Sequence, residues 1–281
     1  MEKMKINVRK ASGEEQAFSQ EKLRNSLQRS GASDAMVEAI LKEMKAHLRD
    51  GITTKEIYKK AFQLLRRRVR SNAARYSLKK AIMELGPSGF PFEHLVGAIL
   101  KRQGYEVEVG KTVQGKCVQH EVDVVAQKDN ETIMAECKYH NARGKICSVQ
   151  VPLYIRSRFH DIESVWRSQQ DHENQQFHGW VVTNTRFSTD AEEYGSCAGL
   201  RLIGWDFPRN GNLKELIERA GLFPITVITG LNSKQKQQLL AKGILLCSEL
   251  CENPGLLAQT GLSKAKQHKV LEEAGDLCAL Q

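Results

Sequence analysis

Two carboxylates and one lysine with a spacing suited to phosphate chemistry lie between residues 120 and 140. This stretch contains two runs of apolar and β-branched residues joined by a polar turn, which predicts two neighbouring strands. Asp123 lies on the first strand. Glu136 and Lys138 lie two residues apart on the second, so their side chains leave the same face. The pattern therefore predicts a cluster of two acids and one base at a strand pair.

Such a cluster suits metal-assisted hydrolysis of a phosphodiester. The carboxylates of Asp123 and Glu136, with the backbone carbonyl of Cys137, provide the hard oxygen ligands that Mg²⁺ or Mn²⁺ prefers. The metal ion would polarise the phosphate and help to generate hydroxide. Lys138 would orient or deprotonate the attacking water, or neutralise charge that develops on the phosphate. A plain solvated strand face is the alternative interpretation of the same residues.

The spacing resembles that of the PD-(D/E)xK nuclease superfamily. Asp123 matches its first acidic residue and Glu136-Cys137-Lys138 matches its E-x-K, while Val122 replaces the usual proline. A predicted amphipathic helix that begins near Pro91 resembles the first helix of Mrr-type restriction nucleases. This resemblance implies that Glu93 joins the metal site. It also implies a mixed sheet flanked by helices, with DNA as the substrate.

The segment after the predicted lysine extends this resemblance. Gln150 and Tyr154 have the Q-x-x-x-Y spacing of several branches of the superfamily, which implies a catalytic role for Gln150. Apolar strands are predicted at 179–184 and 200–205, with a helix between them. This strand–helix–strand order predicts a right-handed crossover in a sheet covered by helices.

The length of the chain predicts a multi-domain α/β protein. A chain of 281 residues exceeds one typical small domain. Two glycines and two prolines between 86 and 91 cannot continue a helix, so they mark a linker. We predict a helical domain at 1–86, a nuclease domain at 87–222 and a small helical domain at 223–281.

The first predicted domain combines a short strand with amphipathic helices and a basic charge balance. It holds 20 of the 42 Lys and Arg residues but only ten of the 33 acidic residues. Lys10 and Lys22 can meet phosphates, and Arg75 can add a bidentate clamp. Ser19 and Thr54 lie at predicted helix starts, where free N–H groups favour anions.

These motifs, in this order, resemble the ATP-cone, the nucleotide-sensing module of ribonucleotide reductases and their repressor. The resemblance implies ATP or dATP as an effector. It assigns nucleotide binding to seven residues: Val8, Lys10, Ser19, Lys22, Leu23, Thr54 and Arg75. Ala11 stands where the family has an arginine. A basic helical DNA-binding bundle without nucleotide, supported by the arginines at 66–70, is the alternative.

The third predicted domain contains two turns between helices, at 229–232 and 260–263. Their hydrophobic-glycine pattern resembles helix-hairpin-helix modules, which hold DNA phosphates with backbone N–H groups and lysines. A helical packing or oligomerisation element is the alternative interpretation.

Composition excludes several classes of protein. No apolar run is long enough to span a bilayer, and the start of the chain lacks the apolar stretch of a signal peptide, so we expect a cytoplasmic protein without a membrane partner. Seven cysteines without a C-x-x-C pair fit reduced thiols. The net charge of +9 indicates a polyanionic partner.

The two resemblances together imply a metal-dependent DNA endonuclease regulated by ATP or dATP, with restriction or phage defence as one setting. The choice of DNA rests on the resemblance and not on any residue. No phosphate-cradling G-x-x-x-x-G-K-[ST] motif is present, so the nucleotide would be an effector. Cutting both strands requires two active sites, which predicts a dimer or tetramer. The alternatives are a nucleotide-sensing DNA-binding protein or repressor without cleavage, and a junction or repair nuclease on the same core.

Overall fold

The computed structural model describes residues 6–10, 12–142, 144–168 and 175–279. Ala11, at the position of the missing arginine, lies outside these residues. The N-terminal segment combines a small three-stranded sheet of order β2-β1-β3 with helices. Its elements are β1 (Asn7–Arg9), β2 (Glu15–Ala17), α1 (Gln20–Gln28), α2 (Asp34–Lys45), β3 (Ile52–Thr53), α3 (Thr54–Arg68), α4 (Arg70–Tyr76) and α5 (Leu78–Ile82).

The residues from about 72 to 85 do not form one continuous helix, because the chain breaks into α4 and α5 at Ser77. The backbone of Ser77 leaves helical geometry, with φ −93° and ψ 3°. Its hydroxyl donates to the carbonyl of Ala74 at 3.0 Å. A serine that hydrogen-bonds its own backbone competes with helical pairing. The break turns α5 towards the following segment.

The central segment is a five-stranded mixed sheet of order β10-β8-β6-β5-β4. Its first three strands in sequence pair antiparallel, whereas β6, β8 and β10 run parallel as the crossover pattern predicts. The elements are α6 (Phe90–Arg102), β4 (Glu106–Gln114), β5 (Gln119–Lys128), β6 (Glu131–Lys138), β7 (Ile146–Cys147), α7 (Gln150–Trp166), β8 (Gln176–Thr183), β9 (Arg186–Phe187), α8 (Thr189–Cys197) and β10 (Arg201–Ile203).

Helices cover both faces of this sheet. Apolar residues of α6, such as Leu95 and Ile99, pack on the face that carries Ile133 and Ala135. The face that carries Met134 packs against α7 and α8. Alternate residues of β6 are therefore buried on opposite sides, which explains its almost continuous apolar sequence.

The C-terminal segment is helical and packs against the same core as α6. It comprises α9 (Leu213–Ala220), α10 (Ser233–Leu240), α11 (Cys247–Glu252) and α12 (Lys264–Cys278). One continuous apolar cluster includes Leu78 and Ile82 of α5, Leu95 of α6, and Leu239 and Leu277 of the C-terminal helices. None of the helices within the described residues is long and apolar enough to cross a membrane.

The first of the two C-terminal turns uses its backbone internally. The N–H groups of Thr229 and Gly230 donate to the buried carboxylate of Glu273 at 2.7 and 3.2 Å. Arg66 donates to the carbonyl of Thr229 at 2.9 Å. These two amides are thus engaged within the protein, which favours a packing role for this turn over a grip on DNA phosphate.

Replacing Gly179 by alanine is expected to destabilise the fold by about 1–3 kcal/mol, because it overfills a packed site. A Cβ at this position of β8 would lie 2.6 Å from Leu200 Cδ2 and 2.7 Å from Phe159 Cδ2. Urea unfolding measures the loss. Gly275→Ala is the control, since its Cβ would meet nothing within 4 Å. Equal stability of the Gly179→Ala and wild-type proteins would contradict this packing.

Candidate active site

Strands β5 and β6 separate at the residues that were predicted to carry the chemistry. Their backbone pairing ends at Val124 and Ala135, one residue before Asp123 and Glu136. The pairing of β4 with β5 also skips Asp123, opposite Gly110, whose φ of +68° is a left-handed conformation that glycine readily adopts. Both irregularities open the sheet beside Asp123. We call this gap between β5 and β6 the fork.

Asp123 closes the fork with its side chain. Its Oδ2 accepts a hydrogen bond from the backbone N–H of Cys137 at 2.7 Å. The N–H and C=O of one residue in a strand point to the same side, so the Cys137 carbonyl also faces the fork. The thiol of Cys137 is buried, and burial raises its pKa well above the usual value. Cys137 therefore offers the fork a carbonyl oxygen rather than a thiolate.

Glu136 is buried between two cations. It is only 3% exposed. Its Oε1 pairs with the ammonium of Lys138, and its Oε2 accepts from Arg158 Nη1 at 2.8 Å. Burial works to lower the pKa of Lys138, but the hydrogen bond and charge of Glu136 raise it overall. Lys138 is therefore a cation at neutral pH.

Glu93 reaches the same place from the first turn of α6. Burial, followed by the charges of Asp123, Glu121 and Glu136, raises the pKa of Glu93 to about 7. Burial, followed by the charge of Glu136, raises the pKa of Asp123 to about 6. The three predicted acids and Lys138 are therefore close enough for their charges to act on one another.

The surroundings of these acids suit a divalent cation. Glu93 and Asp123 resist ionisation because burial and their acidic neighbours outweigh the nearby cations, and a bound cation would relieve that excess of negative charge. The available donors are carboxylate and carbonyl oxygens, the ligands of Mg²⁺. As they stand, no three His, Cys, Asp or Glu side chains of the described ranges are grouped to hold a metal ion. Loading would therefore require Glu136 to exchange a cationic partner for the metal.

The metal-free Asp123→Asn protein is expected to be more stable than wild type by about 1–2 kcal/mol at pH 8. In the folded protein the pKa of Asp123 is raised to about 6. The protonated carboxyl therefore stabilises the folded state fully below pH 4, and this stabilisation is lost as the pH rises through 6. Asparagine keeps an acceptor for the Cys137 N–H and stays neutral. Thermal unfolding in EDTA at pH 4 and 8 measures the difference, which closes at low pH.

Asp276→Asn, at an exposed position of α12, is the control for this comparison and should match wild type at both pH values. A metal-free Asp123→Asn protein that is less stable than wild type at pH 8 would contradict the assignment of a strained carboxylate.

Arg158 belongs to the site, although the sequence did not single it out. Its guanidinium lies under the exposed ring of Tyr154, 5.7 Å from the ring centroid, while it holds Glu136. Tyr154, Arg158 and Asp123 line a cleft of about 290 Å³. The signal was available, because Gln150, Tyr154 and Arg158 recur every four residues and so share one face of α7.

Gln150 itself is exposed at the first residue of α7, and its catalytic role stays a prediction. His120, which flanks the site, is tied to α7: its Nε2 lies 2.8 Å from Asp161 Oδ2. The hydrogen bond from His120 is the main cause of a pKa of Asp161 lowered to about 2; burial opposes this shift, and the amides of Cys117 and Val118 add to it. His140 exchanges two backbone hydrogen bonds with the side chain of Asn184, at 2.8 and 2.7 Å. Both histidines thus position strands.

Most of the predicted nucleotide residues lie on or beside the small sheet and in the first turns of α1 and α3, whereas Arg75 lies in the last turn of α4. Ser19 caps α1 as predicted, since its hydroxyl accepts the N–H of Lys22 at 3.2 Å. Val8, on β1, and Leu23, on α1, are buried. The Lys10 ammonium pairs with Glu14 at 2.9 Å on the exposed β1–β2 turn.

The remaining two nucleotide residues differ from expectation in their contacts. Thr54 is the first residue of α3, but Thr53 makes the capping hydrogen bonds, in a capping box with Glu56. The guanidinium of Arg75 lies 5.5 Å from the ring centroid of Phe223. Burial lowers the pKa of Arg75 despite the nearby charge of Glu218. Arg75 is therefore engaged against the C-terminal segment, and its role as a phosphate clamp stays a prediction.

Comparison with protein families gives three matches along the chain. Residues 6–82 match the ATP cone domain, residues 86–207 match a restriction endonuclease domain, and residues 223–278 match the model described as AF1548-like, C-terminal. The order agrees with the three predicted segments. The description of the third match names a relative, AF1548, and names no DNA-binding module.

Two relatives cover most of the chain. An uncharacterized protein of Archaeoglobus fulgidus is 33% identical over 177 residues, which are 63% of this chain and 95% of that protein. The crystal structure of a protein of unknown function, AF1548, is similar with a TM-score of 0.54 and 31% identity, over 69% of this chain and all of that one. A weak likeness, with a TM-score of 0.32 and 14% identity, exists to the MspJI restriction endonuclease in complex with a 27-mer oligonucleotide; it covers 61% of this chain and 36% of that one.

Proposed function

Because the chain belongs to the AF1548-like family and joins an ATP cone domain to a restriction endonuclease domain, we propose that it is a metal-dependent DNA endonuclease controlled by adenine nucleotide. The observation that carries this proposal is the convergence at the fork. Glu93, Asp123, Glu136 and Lys138 come from two strands and one helix, yet the pKa of Glu93 responds to the other three charges. Perturbed acids that cluster in this way are typical of functional sites.

The metal ion would be held by Asp123, Glu136 and the Cys137 carbonyl, with Glu93 as a further ligand. When bound, Mg²⁺ or Mn²⁺ supplies Lewis acidity at the scissile phosphate and lowers the pKa of attacking water. Asp123 is already fixed by the Cys137 amide, so one ligand is oriented before loading. Glu93 and Asp123 would lose their protons on loading, which makes metal affinity increase with pH.

Lys138 would act as a fixed positive charge. Its raised pKa favours charge neutralisation on the phosphate over deprotonation of water. Arg158, which reaches both Glu136 and the ring of Tyr154, would hold a phosphate oxygen in the cleft beside Tyr154. Lys138 and Arg158 would together bind the negative charge of the substrate.

The nucleotide would act through the contact between α5 and the end of β6. The hydroxyl of Tyr139, the residue after Lys138, donates to the carbonyl of Met83 at 2.8 Å. Met83 follows α5, the last helix of the ATP cone domain. A nucleotide-dependent shift of α5 would therefore move the strand end that carries Lys138. This coupling requires two packings with different nucleotide affinities.

The test is a cleavage assay crossed over Mg²⁺, Ca²⁺, EDTA, ATP and dATP, on linear, supercoiled and branched DNA. We expect Mg²⁺-dependent cutting whose rate or oligomeric state changes with nucleotide. Equal cutting with and without nucleotide, in one oligomeric state, would remove the regulatory part. Preference for branched DNA would favour a junction or repair nuclease.

A nucleotide-sensing repressor is the second candidate, supported by the basic balance of the N-terminal segment. Glu136→Ala separates the two. If wild type and Glu136→Ala bind DNA and neither cuts, the protein is a binding module. Cutting by wild type alone identifies the fork as the catalytic site.

A further inference from the structure

A large cleft separates the ATP cone domain from the nuclease sheet. Its volume is about 1160 Å³. One wall is formed by α3 and α5, and the other by the segment before β7 together with the start of β9. This exceeds the roughly 300–1,000 Å³ of ordinary small-ligand pockets. The cleft therefore has room for more than one small molecule.

The described residues that line this interdomain cleft are strongly basic, and none of them is acidic. Lys55, Lys59 and Lys80 lie on the wall of the ATP cone domain, and Lys145 and Arg186 lie on the opposite wall. Within the described part of the chain, Lys55, Lys59, Lys145 and Arg186 form no ion pair. Their positive charges are thus available to a polyanion, in contrast to Arg68 and Arg24, which pair with glutamates.

Aromatic and apolar side chains line the cleft between these cations. Tyr58, Phe62, Tyr76 and Met83 all contribute to it. The rings of Tyr58 and Tyr76 stack with centroids 5.1 Å apart and an interplanar angle of 16°. A basic channel with aromatic platforms is the combination that binds unpaired nucleotides, because phosphates meet the cations and bases stack on the rings. A duplex would leave these rings unused, since its bases are already stacked.

The interdomain cleft lies beside the fork. The hydroxyl of Thr183, at the end of β8, donates to the carbonyl of Lys138 at 2.7 Å. It also lies 3.1 Å from the hydroxyl of Thr185, which lines the cleft. The charges of both Lys145 and Lys138 act on His140, after burial, to lower its pKa. A strand in the cleft would therefore continue towards the predicted catalytic lysine.

We propose that the interdomain cleft holds a single-stranded segment of the nucleic acid on which the nuclease acts. The inference deepens the proposed function and rests on it for the identity of the substrate. The strand would lie between the regulatory and nuclease segments, so its presence would also hold these two walls at a fixed separation. Nucleotide binding to the ATP cone domain would change the affinity for such a strand by linkage.

The first experiment measures binding of a fluorescein-labelled 12-nucleotide oligo-dT and of a 12-base-pair duplex to the full chain, by anisotropy in EDTA so that no cutting occurs. Lys59→Ala and Arg186→Ala, combined, remove one cation from each wall. We expect at least tenfold weaker binding of the single strand and a salt slope reduced by about 1.4, since each contact with single-stranded phosphate contributes about 0.7.

Lys42→Ala with Lys45→Ala is the matched control, because both lysines are exposed on α2, outside the cleft. This pair is expected to change binding of the single strand less than twofold. Equal losses in the cleft and control variants would overturn the proposal, because they would indicate a diffuse charge effect.

A second variant tests stacking. Tyr58→Leu keeps apolar volume against Tyr76 but removes the platform. We expect several-fold weaker binding of oligo-dT with duplex binding unchanged. Unchanged binding of oligo-dT by the Tyr58→Leu protein would overturn the proposal. It would also be overturned if ATP displaced oligo-dT completely from wild type but not from the Lys59/Arg186 double variant, because that result would identify the cleft as a nucleotide site.

A failure of the cleft proposal can be distinguished from a failure of the proposed nuclease function. Binding is measured without metal, whereas catalysis is tested by Glu136→Ala in Mg²⁺. Cleft variants that bind normally while Glu136→Ala abolishes cutting would overturn the cleft proposal alone.

Discussion

The Lys138→Met protein is expected to cut DNA about 10²–10³-fold more slowly than wild type at saturating Mg²⁺ and DNA, the loss typical when a preorganised charge is removed from a reaction centre. Methionine keeps the length of the side chain and removes only the ammonium. Glu136 retains Arg158 as a partner at 2.8 Å, so the fold should persist. Single-turnover cleavage, with thermal unfolding as a check on folding, measures the effect.

Lys111→Met provides the control for this change. Lys111 lies on β4 and pairs with Glu108 at 2.6 Å on the surface. Surface pairs contribute little, so cleavage should be unaffected. Cleavage by Lys138→Met at the wild-type rate would exclude Lys138 from the chemistry, even if the acids are catalytic.

The second large effect is expected in stability. Arg158→Met should cost about 3–5 kcal/mol, because it leaves the buried carboxylate of Glu136 with one partner that is itself partly in solvent. The side chains of Arg158 and Glu136 are 12% and 5% exposed, whereas that of Lys138 is 37% exposed. Urea unfolding in EDTA measures the loss, and restoration in the Arg158→Met, Glu136→Gln double variant would show its origin in the stranded charge.

Arg156→Met is the matched control on the same helix. Its guanidinium is 41% exposed and lies 3.8 Å from Glu163, so its removal should change stability by less than 1 kcal/mol. Equal losses of unfolding free energy in Arg156→Met and Arg158→Met would show that the effect comes from a change in α7 itself and not from the ion pair. A double variant as unstable as Arg158→Met would exclude the stranded charge as the cause.

The sequence predicted the parts of this protein that depend on local pattern. The apolar strand predicted at 179–184 and the helix after it depend on residue type and spacing, and the structure has a strand at Gln176–Thr183 and a helix at Thr189–Cys197. The clustering of Asp123, Glu136 and Lys138 was predicted from the strand pattern. The addition of Glu93 was predictable only through the family resemblance, because no local rule brings α6 to β5 and β6.

Other features depend on contacts that no local pattern encodes. Arg158 was missed because an arginine on a helix is usually solvated, and only the burial of Glu136 makes it a partner. The role of Gly110 opposite Asp123 became visible only in the strand register. The occupation of the Thr229 and Gly230 amides by Glu273 required a contact across more than forty residues.

The apolar cluster shared by α5, α6 and the C-terminal helices has a consequence for cooperativity. Leu78, Ile82 and Leu85 are nearly inaccessible to solvent. They precede the predicted linker at 86–91, where a truncation would ordinarily be made. Removing residues 1–86 would remove these side chains from the shared apolar cluster and expose the hydrophobic surface of α6 to solvent. We therefore expect a single calorimetric melting transition for the intact chain, and an aggregation-prone product when the regulatory segment is deleted at that point.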